Sequence, residues 1–231
     1  MAESELLTWY DGATGERVGL AAADVGEWSA ATAAMLVDEC GLGPGSTAAV
    51  LLPPHWQTAT VLLGCWSAGL EVSFRAWSTA GLIPAGEPVD ATFVERRRVG
   101  NWLDDVPAGR HQFVLDRPGS SPPDGYRDYV TSVQRHLGGG APAPAVGAHL
   151  TASPDGTTFG EYGAIAADLA ATQGIRPGDR VLVDADAHEQ PLTWLLAPLS
   201  AGASVVLCAN LDRSRLADLV AAEKVTLTLL G

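Results

Sequence analysis

Lysine is nearly missing from this chain: Lys224 is the only one, so arginine supplies almost all of the 14 cationic residues that face 27 carboxylates, for a formal net charge of −13. That balance works against binding to phosphate backbones or anionic membrane surfaces, so neither nucleic acid nor membrane is an expected partner. Cysteine is scarce as well. Cys40, Cys65 and Cys208 form an odd count in apolar surroundings with no paired spacing. This excludes a disulfide framework and reads as three buried reduced thiols, with a metal site or catalytic thiol as the alternative. Long apolar runs are absent too: the longest, Thr58 to Gly69, is too short to span a bilayer. The opening Met1-Ala2-Glu3-Ser4-Glu5 is acidic where a signal peptide would be basic. A reduced cytoplasm is the expected location.

What is present is a repeat. Residues 31–74 and 164–207 align without a gap at an offset of 133, the distance from Gly45 to Gly178. They share Gly41/Gly174, Pro44/Pro177, Gly45/Gly178, Leu62/Leu195, Leu63/Leu196, Ser67/Ser200, Ala68/Ala201, Gly69/Gly202 and Val72/Val205, among others. Each copy reads as one supersecondary unit: apolar helix, Gly-x-x-Pro-Gly turn, apolar strand, second helix, Ser-Ala-Gly stop, strand. Strands alternating with helices at this spacing imply parallel sheets with right-handed crossovers. The fold class is therefore α/β with two repeated parallel-sheet subdomains, and a chain of 231 residues that is 47% apolar has enough core for it.

Along the chain, residues 6–20 predict a hairpin with turns at Asp11-Gly12 and Thr14-Gly15. A helix capped by Asp24 follows and ends at Gly41. Strand 48–52, helix 57–68 and strand 70–74 complete the first copy. Strand 91–94, a short basic helix over 95–103 and strand 112–116 read as a third β-α-β passage; Arg96-Arg97-Arg98 is read as a solvated face, with an anion site as the alternative. Residues 117–148 are rich in Pro, Gly and Ser. The subdomain boundary is placed there, giving a first subdomain over 1–139, a linker over 140–148 and a second subdomain over 149–231. The second copy predicts helices over 162–173, 192–201 and 214–223 and strands over 180–184, 203–208 and 225–230.

Gly-Leu-Gly-Pro-Gly-Ser-Thr-Ala-Ala-Val-Leu-Leu-Pro-Pro-His (Gly41 to His55) with Val-Leu-Leu-Gly-Cys-Trp-Ser-Ala-Gly (Val61 to Gly69) resembles the opening of the AMP-binding adenylate-forming enzymes, the superfamily of acyl-CoA synthetases, luciferases and nonribosomal adenylation domains. Gly174 to Val183 and Pro198 to Leu207 are similar to its second subdomain. The chain is closer still to a family of short actinobacterial proteins kin to those enzymes. The resemblance implies AMP, ATP or CoA as cofactors and a small acyl or nucleotide ligand. It also implies a phosphate loop ending in Pro-Lys-Gly. Here that place reads Leu-Thr-Ala-Ser-Pro-Asp-Gly-Thr-Thr-Phe-Gly (Leu150 to Gly160): Ser153, Gly156, Thr157 and Thr158 survive as an echo, while Pro154 lacks an amide and Asp155 adds negative charge where anions should sit. The resemblance stops within the large N-terminal domain, so a truncated, degenerate relative is expected.

Among remaining candidates, His188 falls near the motif that lines the acyl pocket in the similar enzymes, and His55 holds the equivalent place in the first copy, lining a cleft or capping the next helix. Both lie at strand ends, where open α/β sheets place ligand contacts. Asp184, Asp186, His188 and Glu189 are read as solvated acids and histidine, with a metal site as the alternative. Ser153, Asp155 and His149 do not form a hydrolase triad, since no Gly-x-Ser-x-Gly elbow is present. Three functions follow: a non-catalytic small-molecule binding or regulatory module, an acyl-adenylate ligase completed by a partner chain, or a structural protein that pairs with itself or another subunit through an open strand edge.

Overall fold

The computed structural model describes residues 5–82, 84–101, 105–116, 120–139 and 145–231. Residues 140–144 of the expected linker and 102–103 of the expected basic helix lie outside them. In chain order the elements are β1 (Glu5–Asp11), β2 (Arg17–Ala21), α1 (Ala22–Ala34), β3 (Thr47–Leu51), α2 (Trp56–Ser67), β4 (Glu71–Phe74), β5 (Val89–Glu95), β6 (Gly109–Leu115), β7 (Arg127–Asp128), α3 (Tyr129–Gln134), α4 (Phe159–Gln173), β8 (Arg180–Asp184), α5 (Ala197–Ser200), β9 (Ser204–Ala209), α6 (Leu216–Ala222) and β10 (Leu227–Leu229). The protein is α/β, with two five-stranded sheets ordered β10-β8-β9-β1-β2 and β4-β3-β5-β6-β7. All strand pairs are parallel except the β1–β2 hairpin.

The chain divides into two compact units. One contains Met1–Val25, Pro54–Ala59 and Glu161–Gly231, the other Gly26–Pro53 and Thr60–Gly160. This differs from a single boundary in the linker, because β1 pairs in parallel with β9, Leu7 opposite Val205 and Asp11 opposite Ala209. An apolar strand gains more by joining a sheet whose neighbours are buried than by remaining as an isolated hairpin.

In each unit the repeat has the same backbone. Strand β3 lies between β4 and β5, and β8 lies between β9 and β10. Gly45 and Gly178 have φ of 86° and 84°, and Gly69 and Gly202 have 81° and 73°. These turns need a residue without a Cβ, which is why the glycines survive in both copies. The Glu71 N–H donates to Ser46 O at 2.9 Å, and the Ser204 N–H to Asp179 O at 2.8 Å, the same bond one repeat later. Val181, Leu182 and Val183 are fully buried, as are Val50 and Leu51 in the first copy, in keeping with strands covered on both faces.

Several elements depart from the expectation. Helix α1 starts at Ala22, and Asp24 accepts the Ala21 N–H at 2.8 Å from within the first turn rather than sitting at the cap. The basic stretch after β5 is one 3₁₀ turn, Arg96–Arg98, stopped by Gly100 at φ 74°. Arg98 is buried and donates to Arg75 O at 2.8 Å, so this run is not wholly a solvated face. The 192–201 stretch is a π-helical turn (Leu192–Leu196) followed by α5. The stretch expected to be loop holds β7 and α3: Asp128 accepts the Thr131 N–H at 2.7 Å as an N-cap. Tyr129 is fully buried behind it.

Candidate functional site

The loop between Leu150 and Gly160 lies in the second of the two units and is tied to the edge of β4, since the Val72 N–H donates to Ala152 O at 2.8 Å and Thr151 Oγ1 to Glu71 Oε1. Thr151 and Thr158 face each other in an antiparallel bridge. Within it the donors are consumed internally. The N–H groups of Ala152 and Ser153 donate to Thr157 O at 2.8 and 3.4 Å, that of Gly156 to Ser153 O at 3.1 Å, and that of Thr157 to Asp155 Oδ1 at 3.0 Å. The buried Ser153 hydroxyl donates to the same Asp155 oxygen. Pro154 has no N–H to give. The Ser153 hydroxyl, with the Thr157 amide and hydroxyl, holds the Asp155 carboxyl down at about 2, so it is ionised at neutral pH. The loop therefore supplies its own anion. Gly156 at φ 90° makes the turn that brings Asp155 back onto these donors.

In the other unit, the carboxyl ends of β8, β9 and β1 form a rim. Asp184, buried, ends β8, and its carbonyl accepts the His188 N–H at 3.0 Å. Asp186 accepts the Asn210 N–H at 2.9 Å, and the Asn210 side chain donates to Asp11 Oδ1 at 2.8 Å, so one asparagine at φ 50° joins the ends of three strands. His188 sits half-buried on this rim, and its Nε2 is enclosed without a hydrogen-bond partner among the described residues. The Trp194 Nε1–H donates to Glu189 O at 3.1 Å and fixes the segment after it. His55 is packed instead: its ring meets Trp9 edge-on with centroids 4.4 Å apart, and its Nδ1 accepts the Gln57 N–H at 3.2 Å at the start of α2. Burial pushes the His55 imidazole down to about 4, keeping it neutral. Ser153, Gly156, Thr157 and Thr158 are thus brought together in one loop, while His188 and His55 stand at separate strand ends.

The sequence reading missed Asn210 and the inward turn of Asp155; an Asn just after an apolar strand is the signal for the first. Cys40, Cys65 and Cys208 are buried free thiols, and burial pushes the Cys208 thiol up to about 12. Among the described residues no group of three His, Cys, Asp or Glu side chains is placed to hold a metal ion. No helix among them is long and apolar enough to cross a membrane.

The fold is that of the N-terminal part of the AMP-binding acyl-CoA synthetases. It matches the acyl-CoA synthetase of Brucella canis with a TM-score of 0.72 at 16% identity, over 99% of this chain and 44% of that one. It matches the acetoacetyl-CoA synthetase of Streptomyces lividans with a TM-score of 0.72 at 18% identity, over 98% and 40%. The N-terminal domain of FACL13 from Mycobacterium tuberculosis gives a TM-score of 0.64 at 16% identity, over 96% and 58%. The chain spans less than two thirds of each of these structures. No family model matches it. It is, however, 35% identical over 230 residues to a TIGR03089 family protein of Mycobacterium tuberculosis (strain ATCC 25618 / H37Rv), covering 95% of this chain and 89% of that protein, and it belongs to the TIGR03089 family.

Proposed function

We propose that the protein is a small-molecule binding or regulatory module built on an acyl-CoA synthetase-like fold, with no adenylating activity of its own. The observation that carries this reading is Asp155. Adenylation needs a loop whose free amides and cation neutralise ATP phosphates. In this loop the amides of Ala152, Ser153, Gly156 and Thr157 and the Ser153 hydroxyl are already engaged, two of them on an internal carboxylate. A triphosphate would have to displace that carboxylate and meet its charge in a loop, Leu150 to Gly160, that contains no lysine. The ligand side of the proposal rests on His188, half-buried at a strand-end rim, the place where open α/β sheets receive ligands, with an Nε2 that has no hydrogen-bond partner among the described residues. An acyl, adenylate or CoA-type ligand fits the family resemblance. His55, already used as a packed helix-start acceptor, contributes shape rather than a contact.

The test pairs binding with turnover. Thermal shift against AMP, CoA and a non-hydrolysable acyl-adenylate is expected to show one stabilising ligand, by about 2.7 kcal/mol at a hundredfold excess over Kd. That shift should shrink in His188→Ala. ATP–pyrophosphate exchange with a panel of carboxylic acids should stay at background. Exchange above background by the purified chain overturns the non-catalytic reading, and no shift with any of the ligands overturns the binding reading.

A further inference from the structure

Arg127 sits on β7, the two-residue strand at the edge of its sheet, opposite Phe113 on β6. Its guanidinium lies over the Phe113 ring, 4.4 Å from the centroid, and meets three polar partners. Nη1 donates to Glu39 Oε1 at 2.6 Å, while Nη2 donates to the Cys40 sulfur at 3.4 Å and to His111 Nδ1 at 3.3 Å. Glu39 ends the helical turn Met35–Glu39 that follows α1, so one side chain ties β7 to α1 as well as to β6. Arg135 and His136, just past α3, reach the same Glu39 carboxylate at 3.2 and 3.3 Å.

An arginine only donates, so the Arg127 contact fixes the tautomer of His111: Nδ1 carries the lone pair and Nε2 the proton. That Nε2 is enclosed and has no hydrogen-bond partner among the described residues. Only the neutral ring fits this seat. A proton on Nδ1 removes the acceptor and sets a second cation against the guanidinium.

The groups facing the ring from the neighbouring elements weigh the same way. Burial, then Arg127 and Arg110, push His111 below its ordinary 6.5 and outweigh the Cys40 backbone and Asp90, which pull it up. Asp90, on β5, is itself paired with Arg110. Burial pushes the Glu39 carboxyl up, but the hydrogen bond to His136 and the charges of Arg135 and Arg127 outweigh it and hold the group below its ordinary range. Glu39 therefore stays ionised in the range where His111 changes, and it keeps its hold on Arg135.

We propose that His111 and Arg127 form an acid-released latch: the neutral imidazole seats the arginine and holds β7 on β6, and uptake of a proton at Nδ1 expels the arginine and frees this edge strand. Release bares the β6 edge at Phe113 and Val114. Helix α3 stays docked, because Tyr129 is fully buried and shares hydrogen bonds with Thr32 at 2.8 Å and Thr60 at 3.3 Å. The open form takes up its proton near the ordinary 6.5 and the closed form only below it, so opening grows as pH falls through 6.5. The latch belongs to neither the Leu150–Gly160 loop nor the β8 rim, and it stands or falls apart from the ligand reading.

Amide hydrogen exchange of the full chain tests this, read on residues 126–130, corrected for the intrinsic pH dependence of exchange and referred to α4. Opening of this segment relative to α4 should rise by up to about tenfold between pH 7.5 and 5.5, the factor that one proton site with an open-state value of 6.5 supplies. His111→Gln offers Arg127 an acceptor that does not titrate and should abolish the rise, whereas His136→Gln, which removes the other histidine of the cluster, should keep it. No rise in the wild type, a rise that survives in His111→Gln, or one that vanishes in His136→Gln overturns the proposal. Nitrogen chemical shifts of the wild-type imidazole decide the matter even where a variant fails to fold. A neutral ring protonated at Nε2 at pH 7.5, with a midpoint below 6.5, is expected; protonation at Nδ1, or a midpoint at or above 6.5, overturns the latch.

Discussion

Asp155 and His55 are single side chains that fix how their surroundings respond to acid. Asp155 is depressed to about 2, so its stabilising contacts are complete above the ordinary carboxylate range and are lost only as pH falls toward 2. His55 behaves in the opposite chemical sense. Its folded-state value near 4 lies below the unfolded value of 6.5, so the unfolded chain binds the proton first and stability falls as pH drops from 6.5 to 4. At 1.36 kcal/mol per pKa unit, the loss across that window is about 3 kcal/mol. His55→Asn keeps an acceptor for the Gln57 N–H and should flatten the pH 4–6.5 limb of a urea-denaturation series; an unchanged slope would assign that limb to other groups. Asp155→Ala should release the Ser153 hydroxyl and Thr157 amide and let calorimetry detect inorganic pyrophosphate where the wild type shows none. The polarity of this loop was legible from Pro154 and Asp155. Its self-closure was not, because the return of a side chain onto its own turn depends on the φ of Gly156 and leaves no periodic trace.

At the scale of elements, the paired glycines test whether the repeat is one backbone used twice. Gly45 and Gly178 have open space where a Cβ would go, whereas a Cβ on Gly69 would meet Pro44 at 2.9 Å. Gly45→Ala and Gly178→Ala should therefore destabilise alike, by about 1–2 kcal/mol for the left-handed backbone alone, and Gly69→Ala by more. Equal values for Gly45→Ala and Gly69→Ala in chemical denaturation would contradict this. Helix α3 gives the sharper lesson. Its Pro/Gly/Ser-rich surroundings read as linker, and six residues, Tyr129–Gln134, are too few for helical periodicity to register. Yet Tyr129→Phe should cost about 1–3 kcal/mol by leaving the buried Thr32 and Thr60 hydroxyls with one hydrogen-bond partner fewer. The strands of the repeat, by contrast, were legible to within a residue or two, because continuous apolar runs bounded by Pro and Gly have few alternatives.

For the whole molecule, the family resemblance and the α/β class were legible in the residues, and the fold is shared with acyl-CoA synthetases at 15–18% identity. The partition into units was less legible, since the long-range pairing of β1 with β9 links positions about 200 residues apart that no local pattern connects. In the function proposed above, the fold keeps ligand recognition while the loop from Leu150 to Gly160 is closed on Asp155. Isothermal titration of the purified chain with Mg·ATP and with a non-hydrolysable acyl-adenylate tests it most directly. The account predicts saturable heat with the adenylate, which presents one phosphate, and none with the triphosphate. Saturable Mg·ATP binding of equal or greater affinity, undiminished by further loop substitutions, would contradict it.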